Sequence, residues 1–179
     1  MEGTDQTVTV STDPAGATCN LSRNEKPIGV VNPTPGSINL DKSTADVTVR
    51  CTKKDFEEET AILSSQFQGM TVGNAIFGGL VGLAIDAGSG AMNEYPSSVE
   101  LMLTPTFFES IAARDDFYKR LLAKIDTQNQ EAIAKIRKKC EGELTDQCSG
   151  PIAEAEKEHA ARITALEEKR QRAVIKAAN

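Results

Sequence analysis

The spacing of apolar residues changes at Thr104-Pro105-Thr106. Before this point apolar and polar residues alternate in short runs such as Val47–Thr52, which is the period of a strand with one buried face. After it, apolar residues recur every three or four positions through long charged segments, the period of an amphipathic helix. The sequence therefore predicts two domains, a β-sandwich at 1–105 and a helical domain at 106–179.

Six short segments of the first domain have the alternating pattern, and turn-forming residues separate them. They lie at 6–11, 17–22, 37–40, 45–52, 60–64 and 98–104. In the second domain, two long amphipathic segments have apolar layers that match if the chain folds back at about 141–148. We therefore expect an α+β fold: a small antiparallel β-sandwich with a Gly-rich helical insert at 68–93, followed by a long antiparallel helical hairpin.

Four cysteines fall into two well-placed pairs. Cys19 and Cys51 occupy apolar positions of two predicted strands, so a disulfide between them would join these strands inside the sandwich. Cys140 and Cys148 flank the predicted helical turn, and a disulfide would staple it. Free buried thiols and zinc binding are the rival interpretations, but the chain has no C-x-x-C motif and a single histidine. Two disulfides predict an oxidising compartment.

The net charge is −6, and residues 1–106 hold 6 basic against 13 acidic side chains. An acidic surface argues against general nucleic-acid binding, which needs a basic face. The sequence has no G-x-S-x-G motif and no nucleophile beside a histidine, so we predict no enzyme, no cofactor and no metal site. Residues 1–4 are polar and unlike a signal peptide. Either the protein is cytosolic or an export signal has been removed, and the cysteines favour the second.

Three segments, Pro14–Cys19, Thr34-Pro35 and Val47–Phe56, resemble the bacterial PEGA domain, which has a P-x-G-A-x-V turn, a T-P step and a last strand ending in a basic residue and Gly-Tyr. Cys19 stands where that family favours Val, and Asp55-Phe56 where it has Gly-Tyr. Aspartate tolerates the left-handed conformation, so we still expect a turn there. The residues of this turn motif are Pro14, Gly16, Ala17, Thr34 and Pro35.

Residues 3–105 as a whole resemble small bacterial envelope lipoproteins of PEGA type, which carry both cysteines and a Gly-rich insert. The resemblance implies a lipid-modified cysteine upstream of Met1, a periplasmic location at the outer membrane, and a surface or scaffold role without catalytic activity.

The insert is rich in apolar residues and glycine. Fourteen residues, 72–85, are too few to span a bilayer as one helix. Glycines four residues apart would expose bare backbone on one face of a helix, where another element can approach closely. A short helix on the sandwich, a self-assembly or protein-binding surface, and shallow membrane contact all remain open. The candidate interaction residues here are Gly69, Gly73, Phe77, Gly78, Gly79 and Gly82.

In the helical domain, the layer pairing sets Asn129 opposite His159, which predicts a polar layer in the seam rather than a metal site or pH switch. A basic cluster lies near the predicted turn. It is either a solvated face balanced by glutamates of the second helix or a site for an acidic partner or lipid headgroup. Its residues are Lys135, Arg137, Lys138 and Lys139.

These observations predict a non-enzymatic, outer-membrane-tethered lipoprotein that acts as a structural or adaptor module. It would bind an envelope protein or self-assemble through the insert and the helices, and it would not bind nucleic acid. The alternatives are a small-ligand-binding protein and a cytosolic coiled-coil regulator.

Overall fold

The computed structural model describes residues 5–64, 82–85, 95–140 and 146–176. For 82–85, 146–148 and three residues of the first helix (Lys135, Lys139 and Cys140) only the backbone is described. The chain divides into two compact units. The sandwich unit contains the described residues up to Pro105, and the helical unit contains those from Thr106 onward.

The sandwich unit consists of two four-stranded sheets. The strands are β1 (Asp5–Asp13), β2 (Thr18–Arg23), β3 (Lys26–Val31), β4 (Gly36–Asp41), β5 (Val47–Thr52), β6 (Glu59–Leu63), β7 (Gly82–Ile85) and β8 (Ser98–Met102). One sheet has the order β4-β1-β8-β7 and the other β3-β2-β5-β6. The helical unit contains α1 (Ile111–Cys140) and α2 (Asp146–Arg172).

The predicted fold class is wrong, although the chain does combine sheets with helices. The sandwich is not wholly antiparallel, because β1 and β8 pair in parallel, Thr9 against Ser98 through Asp13 against Met102. The described part of the insert is a strand, β7, and not a helix. The predicted helical hairpin is also wrong in its turn at 141–148, because 146–148 already belong to the second of the two helices, which have 30 and 27 residues.

The errors have simple physical reasons. Alternation of apolar residues predicts which face of a strand is buried but carries no information about the direction of its neighbour. A short apolar run such as Gly82–Ile85 has the same composition in a buried strand as in a buried helix.

The alternating residues of both sheets form the core. Val8 and Val10 of β1, and Val47 and Val49 of β5, are fully buried, and their neighbours along the chain are not. The core also contains the disulfide Cys19–Cys51, so this predicted pairing is confirmed. The two cysteines lie directly opposite each other on β2 and β5, with Cα atoms 4.0 Å apart. The disulfide therefore links two strands that are also joined by backbone hydrogen bonds.

The predicted turn motif is built around Thr34, which is 3% exposed. The Thr34 hydroxyl accepts a 2.9 Å hydrogen bond from Ala17 N–H and is bonded to the Thr12 hydroxyl. The Thr34 backbone accepts from Gly16 N–H at 2.8 Å and donates to Ala17 O at 2.9 Å. Gly16 has a φ of 87°, which a residue with a Cβ rarely adopts. Thr34 thus fixes the turn that leads into β2.

We expect Thr34→Val to lower the free energy of unfolding of the sandwich unit by about 1–3 kcal/mol, because the variant buries Ala17 N–H without its hydroxyl acceptor. Denaturant unfolding followed by circular dichroism measures the change. Thr34→Ser retains the hydroxyl and is the matched control. A Thr34→Val variant that is as stable as the wild type, or that loses less stability than Thr34→Ser, would contradict a stabilising role for the hydroxyl hydrogen bonds.

Candidate functional site

Two backbone hydrogen bonds close the base of the helical unit. Phe108 N–H donates to Val174 O at 2.8 Å, and Lys176 N–H donates to Phe108 O at 2.8 Å. Phe108 thereby pairs in parallel with Ile175. The segment that enters α1 and the segment that leaves α2 therefore run side by side.

Three aromatic rings pack above this base. The ring centroids of Phe108 and Phe117 are 5.5 Å apart, those of Phe108 and Tyr118 are 5.9 Å apart, and those of Phe117 and Tyr118 are 5.3 Å apart. All three side chains are buried, with Tyr118 1% exposed. Tilted and edge-on aromatic pairs at these distances add to the gain from burial itself. The cluster anchors the residues that precede α1 to its first turns.

Two polar contacts, one ion pair and one hydrogen bond, define how the helices align. Near the base, Arg170 Nε lies 3.4 Å from Asp115 Oδ1, and further along α1, His159 Nε2 lies 2.8 Å from Asp126 Oδ1. Residue numbers rise along α1 as they fall along α2, so the helices pack antiparallel. The buried apolar residues of the two helices include Leu121, Ile125, Ile136, Ala155 and Leu166.

The predicted polar layer is wrong in its pairing. His159 bonds to Asp126 and not to Asn129, one helical turn further along. Asn129 Oδ1 is buried and accepts no hydrogen bond from any described residue, and the same is true of Gln128 Oε1. An acidic side chain one turn before Asn129 is a stronger partner for an imidazole than an amide, because a carboxylate acceptor makes the hydrogen bond charge-assisted.

Glu158 is a buried acid of the helical unit that was not predicted from the sequence. Its side chain is 8% exposed. Burial raises the pKa of its carboxyl above the ordinary value of 4.5, and Arg162 opposes this rise. Burial also lowers the pKa of Arg162, against the attraction of Glu158. The helix pair therefore holds a carboxyl group in an environment that favours its neutral form.

We expect the helical unit to lose stability as the pH rises above 4.5. A raised pKa means that the folded state keeps the Glu158 proton in a pH interval where the unfolded chain has released it, so stability is full below this interval and falls through it. Glu158→Gln stays neutral and should unfold at a higher temperature than the wild type at pH about 7, but not at pH about 4.

Thermal unfolding across this pH range, followed by circular dichroism, tests the prediction. Glu156→Gln, at an exposed position two residues away, is the control and should follow the wild-type profile. A Glu158→Gln profile parallel to that of the wild type would contradict the assignment.

An open groove of about 510 Å³ lies on the surface of the helical unit. It is lined by Asp115, Lys119, Leu122, Ala123, Asp126 and Arg170. The five α1 residues share one face of the helix and cover about 16 Å of its length. Both polar contacts that align the helices lie in the groove or at its edge. Its ionisable side chains are open to water, and Asp126 is 51% exposed.

The structure brings some predicted residues together and leaves others apart. The turn-motif residues Gly16, Ala17 and Thr34 meet, as do Cys19 and Cys51. Of the basic cluster, Arg137 and Lys138 are exposed and make no ion pair with a described residue, while the side chains of Lys135 and Lys139 lie outside the described part. A disulfide between Cys140 and Cys148 also lies outside it and stays a prediction.

Of the insert's candidate residues, only Gly82 is described, as the first residue of β7. Gly69, Gly73, Phe77, Gly78 and Gly79 lie outside the described residues.

No protein-family model, curated protein or solved structure matches this chain. None of the helices that the structure describes is long and apolar enough to cross a membrane. Within the described ranges, no group of three or more His, Cys, Asp or Glu side chains is arranged to hold a metal ion. The buried disulfide is compatible with an extracytoplasmic protein.

Proposed function

We propose that this chain is a non-catalytic adaptor module of the bacterial cell envelope, and that its helical unit binds another protein through the groove on α1. Tethering at the outer membrane in the periplasm, by a lipid anchor upstream of Met1, is part of the proposal and comes from the resemblance to PEGA-type lipoproteins.

The disulfide supports the compartment. Cys19 and Cys51 are fully buried and directly opposed, so once formed the bond is shielded from reductants in solution. Structural disulfides of this kind form and persist in oxidising compartments and are rare in the cytosol.

The observation that carries the binding role is the groove itself. It is an open trough along one helix, with opposite charges at intervals and a half-buried Leu122 beside the small Ala123. Grooves beside helices commonly accept a helix of another chain, with polar side chains at the edges setting its register. Catalytic acids and bases are usually desolvated, whereas Asp126 and Lys119 are open to water.

Photo-crosslinking tests this proposal. A photoreactive phenylalanine analogue is placed at Ala123 in the full chain, which is then mixed with envelope and cytosolic fractions of the source bacterium. We expect adducts with envelope proteins, and we expect Asp126→Lys to remove them because it reverses a groove charge. The same analogue at Ala113, exposed on another face of α1, is the matched control. Equal adducts at both positions, or adducts only with cytosolic proteins, would contradict the proposal.

A further inference from the structure

We propose that the groove on α1 binds a second copy of this chain, with the two α1 helices antiparallel and a two-fold axis between Leu122 and Ala123. This inference rests on the proposed function only in assigning the groove to a protein. It goes further by naming the partner and the geometry.

The groove residues of α1 form a stripe along one face of the helix. At about 100° per residue, the groove residues Asp115, Lys119, Leu122, Ala123 and Asp126 fall on one face of α1, and Gln130 continues that face. The buried residues Leu121 and Ile125 lie roughly 100–145° from the middle of this stripe around the helix. α2 borders the stripe, through Arg170 at Asp115 and His159 at Asp126, but it leaves Lys119, Ala123 and Gln130 exposed.

The charges of this stripe are complementary to those of a second, antiparallel copy. Lys119 and Asp126 are equally far from the midpoint between Leu122 and Ala123. In an antiparallel pair centred there, Lys119 of each copy faces Asp126 of the other, and two ion pairs form by symmetry. Asp115 and Gln130 are also equally far from the midpoint and pair in the same way. A two-fold interface requires such self-complementarity, because the same surface is used twice.

Lys119 and Asp126 are both accessible to a second copy. Lys119 is exposed and makes no ion pair with any described residue. Asp126 binds His159 through Oδ1 but is 51% exposed, and a carboxylate accepts several hydrogen bonds. Asp115, by contrast, is already paired with Arg114 at 2.8 Å and with Arg170 at 3.4 Å. Lys119 and Asp126 are therefore the groove charges that a second copy would engage.

The side chains at the centre of the stripe also pack well in this arrangement. Leu122 of one copy lies against Ala123 of the other in this arrangement, so each larger side chain meets a small one. Alanine at the crossing point allows two helices to approach within about 8–10 Å. A helix of another protein would need an acid, a small residue and a base at matching positions to pack here in the same way. α1 itself already has this spacing at Asp126, Ala123 and Lys119.

Sedimentation velocity of the full chain over a range of concentrations is the first experiment. The monomer mass is 19.2 kDa, and we expect the wild type to shift to twice that mass as concentration rises. Lys119→Asp and Asp126→Lys each set like charges against each other twice, and each should weaken dimerisation by at least about tenfold.

Mixing the two single variants gives the sharpest result. The Lys119→Asp chain has two acids at the contact positions, and the Asp126→Lys chain has two bases. We therefore expect them to form a heterodimer with each other at a concentration at which each alone is a monomer. The exposed Lys138→Asp has the same change of charge outside the groove and should dimerise like the wild type.

Circular dichroism of each variant separates loss of association from loss of folding, and Ala123→Arg, at an exposed position, blocks the crossing without reversing a charge. A wild type that stays monomeric at every concentration overturns the inference, as do folded single variants that dimerise fully or fail to pair when mixed. If the chain is monomeric but forms groove-specific adducts with envelope proteins, the inference fails and the proposed function stands. If it dimerises without such adducts, the proposed function fails and the inference stands.

Discussion

Replacing Phe108 by alanine is expected to lower the free energy of unfolding of the helical unit by about 3–5 kcal/mol. The Phe108 ring is 4% exposed and contacts both Phe117 and Tyr118. Its backbone also pairs the two ends of the unit through hydrogen bonds to Val174 and Lys176. Removing the ring leaves a cavity at the point where the entering and leaving segments meet, so this position should be among the most sensitive in the chain.

Denaturant unfolding of the full chain, monitored by the helical signal at 222 nm, measures the loss. Phe107→Ala is the matched control, because Phe107 is 39% exposed and its ring lies 5.7 Å from the ammonium group of Lys176. It should cost less than about 1 kcal/mol. A Phe108→Ala variant that unfolds together with the control would show that the aromatic cluster does not hold the base of the helix pair.

Removing the disulfide by Cys19→Ala with Cys51→Ala is expected to destabilise the sandwich unit by about 3–4 kcal/mol. The bond closes a loop with a sequence separation of 32, and the unfolded chain without it gains the corresponding entropy. Both cysteines are also fully buried, so alanine leaves unfilled space in the core. The native backbone pairing of β2 with β5 should persist, because it does not need the disulfide.

Guanidinium unfolding with and without reductant measures this contribution. Reductant should lower the midpoint of the wild-type sandwich signal towards that of the double variant and should leave the double variant itself unchanged in that signal. A wild type that unfolds at the same midpoint with and without reductant would contradict a stabilising role for the disulfide.

The local features of the sandwich were readable from the sequence. Alternation placed Cys19 and Cys51 on the buried faces of neighbouring strands, and the structure pairs them. The turn expected at Asp55, where an aspartate replaces a glycine of the PEGA pattern, has a φ of 66°. Both predictions depend on short-range preferences of the backbone, which adjacent residues determine.

The pairing of the first strand with the last was not readable. The parallel pairing of β1 with β8 joins residues about ninety positions apart, and no local pattern encodes it. Strand β3 was missed because Pro27 and Gly29 interrupt its pattern and Val30 is 56% exposed. A Cβ at position 29 would lie 2.1 Å from Ile38 Cδ1, so a larger residue than Gly29 would require the Ile38 side chain to move.

The buried acids show a similar limit. Glu59 is fully buried, lies opposite Cys51 on the neighbouring strand, and accepts a hydrogen bond from the Thr104 hydroxyl at 2.8 Å. Its alternation with Ala61 and Leu63 was the signal that could have placed it inside. Glu158 lies one turn after Ala155 on the same helix, and that spacing was the corresponding signal.

The groove required the alignment of two helices before it could be recognised. The sequence set His159 opposite Asn129, whereas His159 bonds to Asp126, one turn earlier. A difference of one turn in the partner changes which side chains line the surface, and this is why the candidate interaction residues chosen from sequence do not include Lys119 or Asp126.

The thiol state of the native protein distinguishes the proposed oxidised module of the cell envelope from a cytosolic protein. Free thiols are trapped by alkylation when the source cells are harvested, and the protein is digested and mapped by mass spectrometry without reduction. We expect linked, unalkylated peptides containing Cys19 and Cys51. Peptides in which both cysteines carry the alkyl label would contradict the proposed compartment.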